Sequence, residues 1–360
     1  VQAMLEAMAY RGPDGLNHLC NGPIALGHAL LQTTLAGPQM PAQVPGTELY
    51  LTLDGGLDNA EELIAALGLQ EHPSDAGLIA AAYRHWGDTF PRHLDGDFAL
   101  ALWDAPRQRL LCARDHTGTR PFYYHCGCGF ITFASELPPL LALAEGTLVP
   151  NQDMITQFLG QCWESNEDTF WRGFQRLPPA HTLAVSAGQV QVQRYWQPDF
   201  QRVLEYPHLQ DYRNHYRELL ADIVMRQGRS DYPVAFEVSG GLDSSALFAV
   251  ASELQRSGDL PTPDIAGYTL DFRGCGDADE VAYAKAVGRH CERPVAVVPP
   301  TYKPLDWYRQ RGRSRGEFCG APNGVMSMGL FARAAASGSR VLVNGTGGDE
   351  WLDCGPTAYA

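Results

Sequence analysis

Long apolar runs are missing from this 360-residue chain. The longest, such as Phe98 to Trp103, fall far short of the ~20 residues a membrane-spanning helix needs. No secretory leader opens the sequence. The expectations are no membrane partner and a cytoplasmic location. Basic charge is scarce as well. The 27 Lys and Arg against 41 Asp and Glu leave a net charge of −14, which argues against nucleic acid or an anionic membrane as a bulk partner. It does not exclude a small anion held by local backbone donors. Cysteine motifs are also lacking. The nine cysteines are scattered. Cys126 and Cys128, one residue apart, suit neither a zinc knuckle nor a CxxC redox pair. They read as reduced thiols. There is no initiator Met. Val1, Met4, Leu5 and Met8 already follow a helical repeat, and Ala360 comes soon after a glycine-rich loop, so both ends read as cut through domains.

What is present is an ordinary globular composition, 45% hydrophobic and 19% charged, in a chain long enough for two domains. The first half reads as α+β. Strand-like runs lie at 24–31, 49–53, 98–103, 109–113, 121–125 and 130–134. Helical patterns lie at 60–67 and 75–86, with Ser74 as N-cap of the second. Many strands with few helices imply stacked sheets covered by helices. Residues 151–205 shift toward Trp, Pro and Gln and read as an ordered connection, because aromatics need burial and a flexible linker would be Gly/Ser-rich. The expected domains are therefore 1–150, the connecting segment 151–205, and 206–360.

After 206 the rhythm changes to alternation. Strands are expected at 234–238, 265–272, 294–298 and 340–344, with helices at 244–256, 278–290 and 326–336. That pattern predicts a parallel sheet wrapped on both faces, with ligands beyond the C-terminal strand ends. Two glycine-rich loops, at 239–245 and 345–350, fall at such ends and can face one pocket.

The first loop is "SGGLDSS". Ser239, Gly240 and Gly241 leave a strand directly and Ser244 enters a helix. Glycines let backbone N–H groups turn inward, a helix N-terminus adds unpaired donors, and the hydroxyls of Ser239, Ser244 and Ser245 supply more. A phosphate or pyrophosphate is the natural occupant. A Walker loop would need Gly-Lys-Ser/Thr, which is absent. The reactive feature here is Asp243, an acid that can lie beside a phosphate only with a cation between them. Mg²⁺ is the expected bridge. The second loop, "NGTGGDEWL", offers a second acid, Asp349, with Glu350 next to it. The bland alternative is two unrelated glycine turns bearing surface acids.

"SGGLDSS" resembles the pyrophosphate loop of the ATP pyrophosphatase superfamily. "MAYRGPDG", "LDGDFALALWD", "LLCARDHTGTRPFYY", "FASELPPLLA", "FWRGFQRLPPAHTL", "RYWQP" and "NGTGGDE" follow in the order seen in the asparagine synthetase family, over nearly the whole chain. The resemblance implies an N-terminal α-β-β-α sandwich of the Ntn-hydrolase type, a class II glutamine amidotransferase domain, and then an α/β synthetase domain of the PP-loop type. It implies ATP and Mg²⁺ as cofactors, with the acids at Asp243 and Asp349 holding the metal. Val238, Ser239, Gly240, Gly241, Ser244, Ser245, Tyr268, Gly345 and Gly347 would surround the nucleotide. Thr346 stands where asparagine synthetases commonly carry a catalytic Glu. Val238, Tyr268 and Leu270 could flank the adenine or simply be core. Asp279 and Glu280 could lie near the phosphates or be a solvated helix start, and Glu317 could face substrate or be an exposed loop residue. The implied chemistry is adenylation of a small-molecule or peptide carboxylate, followed by amide formation.

The family pattern fails in the first half. The chain starts with Val1 where a nucleophilic cysteine would have to lie upstream. Leu30 stands at the family's glutamine-binding Arg, and an apolar residue cannot pair with a carboxylate. Asp54-Gly55 stands at the oxyanion-hole Asn-Gly, replacing a donor with a negative acceptor. Asp75 alone matches the part that binds the glutamine amine. The expectation is a degenerate glutaminase domain and a substrate-borne amine, as in macrolactam cyclases and β-lactam synthetases. The alternatives are a glutamine-hydrolysing asparagine synthetase, a non-catalytic scaffold, and a tRNA-modifying pyrophosphatase, which the acidity disfavours. Because the family's synthetase domain runs on past "GGDE", these 360 residues alone are expected to be poorly active. A homodimer is left open.

Overall fold

The computed structural model describes residues 1–35, 39–127, 129–144, 148–162, 164–318 and 322–348. The chain divides into two compact units. The described residues of unit 1 fall within 1–31, 37–202 and 308–319, and those of unit 2 within 32–36, 203–307 and 320–348. Among the described residues, no helix is long and apolar enough to cross a membrane.

Unit 1 runs α1 (Gln2–Ala7), β1 (Gly15–Asn21), β2 (Ile24–Leu30), β3 (Ala42–Gln43), β4 (Leu49–Gly55), α2 (Ala60–Leu67), α3 (Asp75–Trp86), β5 (Phe98–Asp104), β6 (Arg109–Arg114), β7 (Tyr123–Cys126), β8 (Ile131–Ala134), α4 (Leu137–Leu143), α5 (Gln152–Gly160), β9 (Phe174–Arg176), β10 (His181–Ser186) and β11 (Gln189–Arg194). A six-stranded antiparallel sheet has the order β11-β10-β6-β5-β4-β3. Strands β1-β2 and β8-β7-β9 form two smaller antiparallel sheets. β5 shows why the layers stack. It is buried at all seven positions. Phe98, Leu100 and Leu102 pack with Leu63 of α2 and Leu78 and Ile79 of α3. Ala99, Ala101 and Trp103, on the opposite face, pack with Leu26 of β2 and Tyr124 of β7. A strand covered on both faces is apolar on both, because the side chains alternate across the sheet; the exception, Asp104 at its end, accepts from the Tyr83 hydroxyl at 2.8 Å. Leu137 and Leu140 of α4 cover Ala134 and Phe174, with Met4 and Met8 packed beside them. The layers are therefore helix, sheet, sheet, helix, the expected α-β-β-α sandwich. Of the segment 151–205, read from sequence as an ordered connection, the residues up to Arg202 belong to this unit and contribute β9, β10 and β11.

Helix α3 starts where its cap predicts: the Ser74 side chain accepts from the Gly77 N–H. α2 ends at Gly68, in the left-handed conformation that a C-terminal glycine supplies without strain.

Unit 2 contains α6 (Leu209–Gln227), β12 (Val234–Glu237), α7 (Leu242–Ser257), β13 (Ile265–Leu270), α8 (Val281–His290), β14 (Val295–Val298), the start of α9 (Leu305–Arg315), α10 (Met328–Ala336) and β15 (Val341–Val343). The four strands are parallel, in the order β14-β13-β12-β15. Val234, Phe236 and Val238 pack with Val224 of α6, Phe248 and Ala251 of α7 and Ala284 of α8. Ala235 and Tyr268 face the other way, onto Leu330 and Ala334 of α10. Both faces are covered, as βαβ connections require.

Candidate functional site

The turn from β12 into α7 leaves backbone donors that could receive an anion. Gly240 has φ +100°, and a Cβ there would lie 2.7 Å from Tyr283 Cβ and 3.2 Å from the Glu280 carbonyl oxygen. Only glycine permits both that dihedral and that approach to α8. Gly241 is the N-cap of α7, and no side chain caps the helix. Its first-turn N–H groups are thus left for an outside acceptor, with the helix dipole behind them. The Ser239 N–H donates to Ser244 Oγ at 3.2 Å, the two hydroxyls are 2.9 Å apart, and the Gly241 N–H donates to Ser239 Oγ at 3.2 Å. Two of the three serines therefore brace the loop. Ser245 Oγ is buried with no hydrogen-bond partner among the described residues, an orphaned donor that a phosphate oxygen would satisfy.

The second loop closes on the first. The Gly348 N–H bonds the Gly345 carbonyl at 3.1 Å, Gly347 has φ +101°, and the Thr346 N–H donates to Asn344 Oδ1 at 3.2 Å. A Cβ on Gly345 would stand 2.9 Å from the Ser244 nitrogen, and one on Gly348 would stand 2.4 Å from Asp243 Cγ. Two loops a hundred residues apart in sequence thus abut at Asp243 and Ser244. Asp349 and Glu350 lie outside the described residues. Among the described residues no group of three or more His, Cys, Asp and Glu could hold a metal. A Mg²⁺ site needs fewer, because one or two carboxylates are usually completed by phosphate oxygens and water.

Val238 is fully buried in the α7-side core. Tyr268 is 3% exposed on the α10 side, with its hydroxyl 2.6 Å from Ser337 Oγ. Both occupy core positions, and Leu270 packs against the Tyr268 cluster. Asp279 accepts from the Gly274 N–H at 3.2 Å, and the backbone of Glu280 lies against Gly240.

In unit 1, of the residues expected at a degenerate glutamine site, Asp54 stands in a charge cluster. Asp54, at the end of β4, pairs with Arg11 at 3.1 Å and Arg120 at 3.7 Å and accepts from Ser135 Oγ at 3.1 Å. Arg11 also pairs with Glu136 at 3.1 Å, and Glu136 contacts the Tyr10 hydroxyl and Arg315. Burial and the Glu317 carboxylate push Glu136 up to about 7. Gly55, at φ +108°, has no room for a Cβ, which would fall 1.8 Å from the Asp97 carbonyl oxygen. Asp75 Oδ2 accepts from the Leu57 N–H at 3.1 Å and sits 3.3 Å from where a Gly56 Cβ would be. Leu30 ends β2, two residues beyond His28, whose pKa burial lowers, with Asp54 opposing and Arg11 reinforcing. Glu317 lies 3.6 Å from Arg176, with the Tyr123 hydroxyl at 3.5 Å. Burial raises its pKa and Arg176 opposes the rise. The clustering of Arg11, Arg120 and Arg315 had no local sequence signal, because each lies far along the chain from its partner.

Residues 1–196 match the glutamine amidotransferase domain family, and residues 215–360 match the asparagine synthase family. The chain is similar to amidase chyE of Penicillium rubens, 29% identical over 370 residues, which span 96% of this chain and 53% of that protein. It is 27% identical to amidase chry2 of Gibberella zeae over 384 residues, 97% of this chain and 54% of that protein. To asparagine synthetase (glutamine-hydrolyzing) 3 of Bacillus subtilis it is 30% identical over 278 residues, 75% of this chain and 44% of that protein. The chain spans about half the length of the curated relatives it matches.

Proposed function

This chain belongs to the asparagine synthetase family, and on that premise we propose that it works as an ATP-dependent amide ligase, adenylating a carboxylate and joining it to an amine carried by the substrate itself. One observation carries the ligase reading: the two glycine loops abut at Asp243 and Ser244. The cradle fits a polyphosphate. The uncapped first turn of α7 supplies donors and dipole, and Ser245 Oγ supplies a buried hydroxyl with no other partner among the described residues. Asp243, with Asp349 as the second acid, would hold Mg²⁺, which when bound neutralises charge on the departing pyrophosphate. The substrate carboxylate attacks the α-phosphorus and the bond to the β-phosphate bridge breaks. The amine then forms the C–N bond as the acyl C–O bond to AMP breaks. Preorganised donors help most where charge builds, on the leaving pyrophosphate.

The reading of the amine source rests on Asp54. A glutaminase needs a donor at the developing oxyanion, and Asp54 presents an acceptor already engaged by Arg11, Arg120 and Ser135. Leu30 adds no charge for a glutamine carboxylate. A second reading, a glutamine-hydrolysing asparagine synthetase, is favoured by the name of the Bacillus relative.

The test is Mg·ATP binding by calorimetry, together with ATP–pyrophosphate exchange over a panel of amino acids and peptide carboxylates, on the full-length protein. Mg²⁺-dependent binding that Asp243→Ala abolishes, exchange with at least one carboxylate, and no ammonia from glutamine are expected. Binding unaffected by Asp243→Ala would overturn the ligase reading. Ammonia release from glutamine would transfer support to the second reading.

A further inference from the structure

Glu237 is out of place in its strand. β12 is an inner strand of a parallel sheet covered on both faces, where apolar side chains are expected throughout. Its other members, Val234, Ala235 and Phe236, are all buried. Val234, Phe236 and Val238 face α7, so alternation puts Glu237 with Ala235 on the α10 side. It sits at the C-terminal end of the strand, two residues before Ser239. The ladder pairs it with Tyr268 on one side. On the other side Phe236 pairs with Val343, so Asn344, which opens the second glycine loop, continues the row beside Glu237. The carboxylate is half-buried and makes no hydrogen bond or ion pair among the described residues. Burial raises its pKa, with no neighbouring charge contributing.

An uncompensated, half-buried acid is costly to the fold, and this one lies in the row beside Asn344, which opens the second loop, and two residues before Ser239, which opens the first. Building on the ligase reading above, we propose that Glu237 is a substrate-binding residue that receives the protonated amine nucleophile and takes its proton. A phosphate is excluded as its partner by like charge. Apart from Mg²⁺, which the phosphates and Asp243 would hold, the only cation this reaction brings is the ammonium of the amine substrate. That ammonium has no lone pair until it loses a proton. One N–H proton passes to the Glu237 carboxylate. The freed lone pair forms the C–N bond, the acyl C–O bond breaks with its electrons leaving on AMP, and the second N–H proton and that on Glu237 pass to water. A carboxylate whose pKa burial has raised is a better base for this than a solvated one.

The experiment uses the full-length protein and a carboxylate that supports exchange. Two nucleophiles are compared: hydroxylamine, largely unprotonated at neutral pH, and methylammonium, almost wholly protonated. Glu237→Gln is expected to leave ATP–pyrophosphate exchange and hydroxamate formation within about twofold while lowering methylamide formation by ~10²-fold or more. Equal loss of all three activities, or an undiminished methylamide rate, overturns the proposal. A second variant reads the ligand-free protein. Glu237→Leu is expected to raise Tm, because it removes an acid with nothing to compensate it. A lowered Tm would mean a structural role and would also overturn the proposal. Absence of exchange in the unaltered protein would instead defeat the ligase reading itself, which the Tm measurement does not depend on.

Discussion

Adding one methyl group at Gly348 should separate folding from nucleotide binding. In Gly348→Ala the new carbon would stand 2.4 Å from Asp243 Cγ, 2.5 Å from Oδ2 and 2.9 Å from Cβ. Carbon–carbon contacts are comfortable at ~3.5–4.0 Å, so the atoms must separate by about 1 Å or more. Rotating the Asp243 side chain relieves the first two contacts. It leaves the contact to Cβ, which moves only with the backbone, so the two loops must open as well. Because this contact lies at a partly exposed loop junction rather than in a core cluster, the stability cost should stay near the low end of overpacking, ~1 kcal/mol. The functional cost is larger. A misplacement of ~1 Å in a positioned group can cost about a hundredfold, equivalent to ~2.7 kcal/mol in binding. Calorimetric titration with Mg·ATP should show Kd raised about a hundredfold, while thermal unfolding shifts by a few degrees. Unchanged Kd would refute the argument that the second loop positions Asp243 for the metal. Unfolding of the whole unit would refute the argument that the junction is local.

Other perturbations probe separate parts of the molecule. Asp54→Asn removes the carboxylate paired with Arg120 and one of the two paired with Arg11, which keeps Glu136, and should cost ~1–3 kcal/mol in denaturant unfolding, without producing ammonia from glutamine, since Leu30 remains. Tyr268→Phe removes only the bond to Ser337, so stability should fall by ~0.5–1.5 kcal/mol while Mg·ATP affinity stays unchanged; a weaker affinity would mean that Tyr268 meets the nucleotide. Glu136 is raised by burial and by Glu317 from an ordinary value near 4.5 to about 7. A raised acid stabilises most while protonated, so its contribution is full below about 4.5 and lost as pH climbs through about 7. Tm should therefore decline from pH 5.5 to pH 8, and the slope should be shallower in Glu136→Gln.

Some features were legible because local chemistry dictates them. Helices α2 and α3 occupy the residues their apolar repeats and the Ser74 cap mark out. The strand–helix alternation after Val234 yields a parallel sheet, and "SGGLDSS" turns from β12 into α7 because Gly240 alone tolerates that backbone. Helix α6 was not read from sequence. Leu209, Tyr212, Tyr216, Leu219 and Ile223 recur at the three- and four-residue spacing of one helix face, so the signal was present in the sequence, although in the fold these five are exposed and Val224 alone on the helix is buried. Strands β9 to β11 were hidden inside a stretch read as a connection, because aromatic content signals burial but not which sheet receives it.

Sequence by itself determined the family, the alternation that gives a parallel sheet and the glycine turn from β12 into α7, because capping, backbone strain and side-chain periodicity act within a few residues. Tertiary structure alone decided that Gly348 presses on Asp243, that Asp54 is held between Arg11 and Arg120, and that Glu237 lies in the row beside Asn344 without a partner among the described residues. Those facts depend on distances between segments tens to hundreds of residues apart, and such distances exist only once the sheets within each unit have formed and packed.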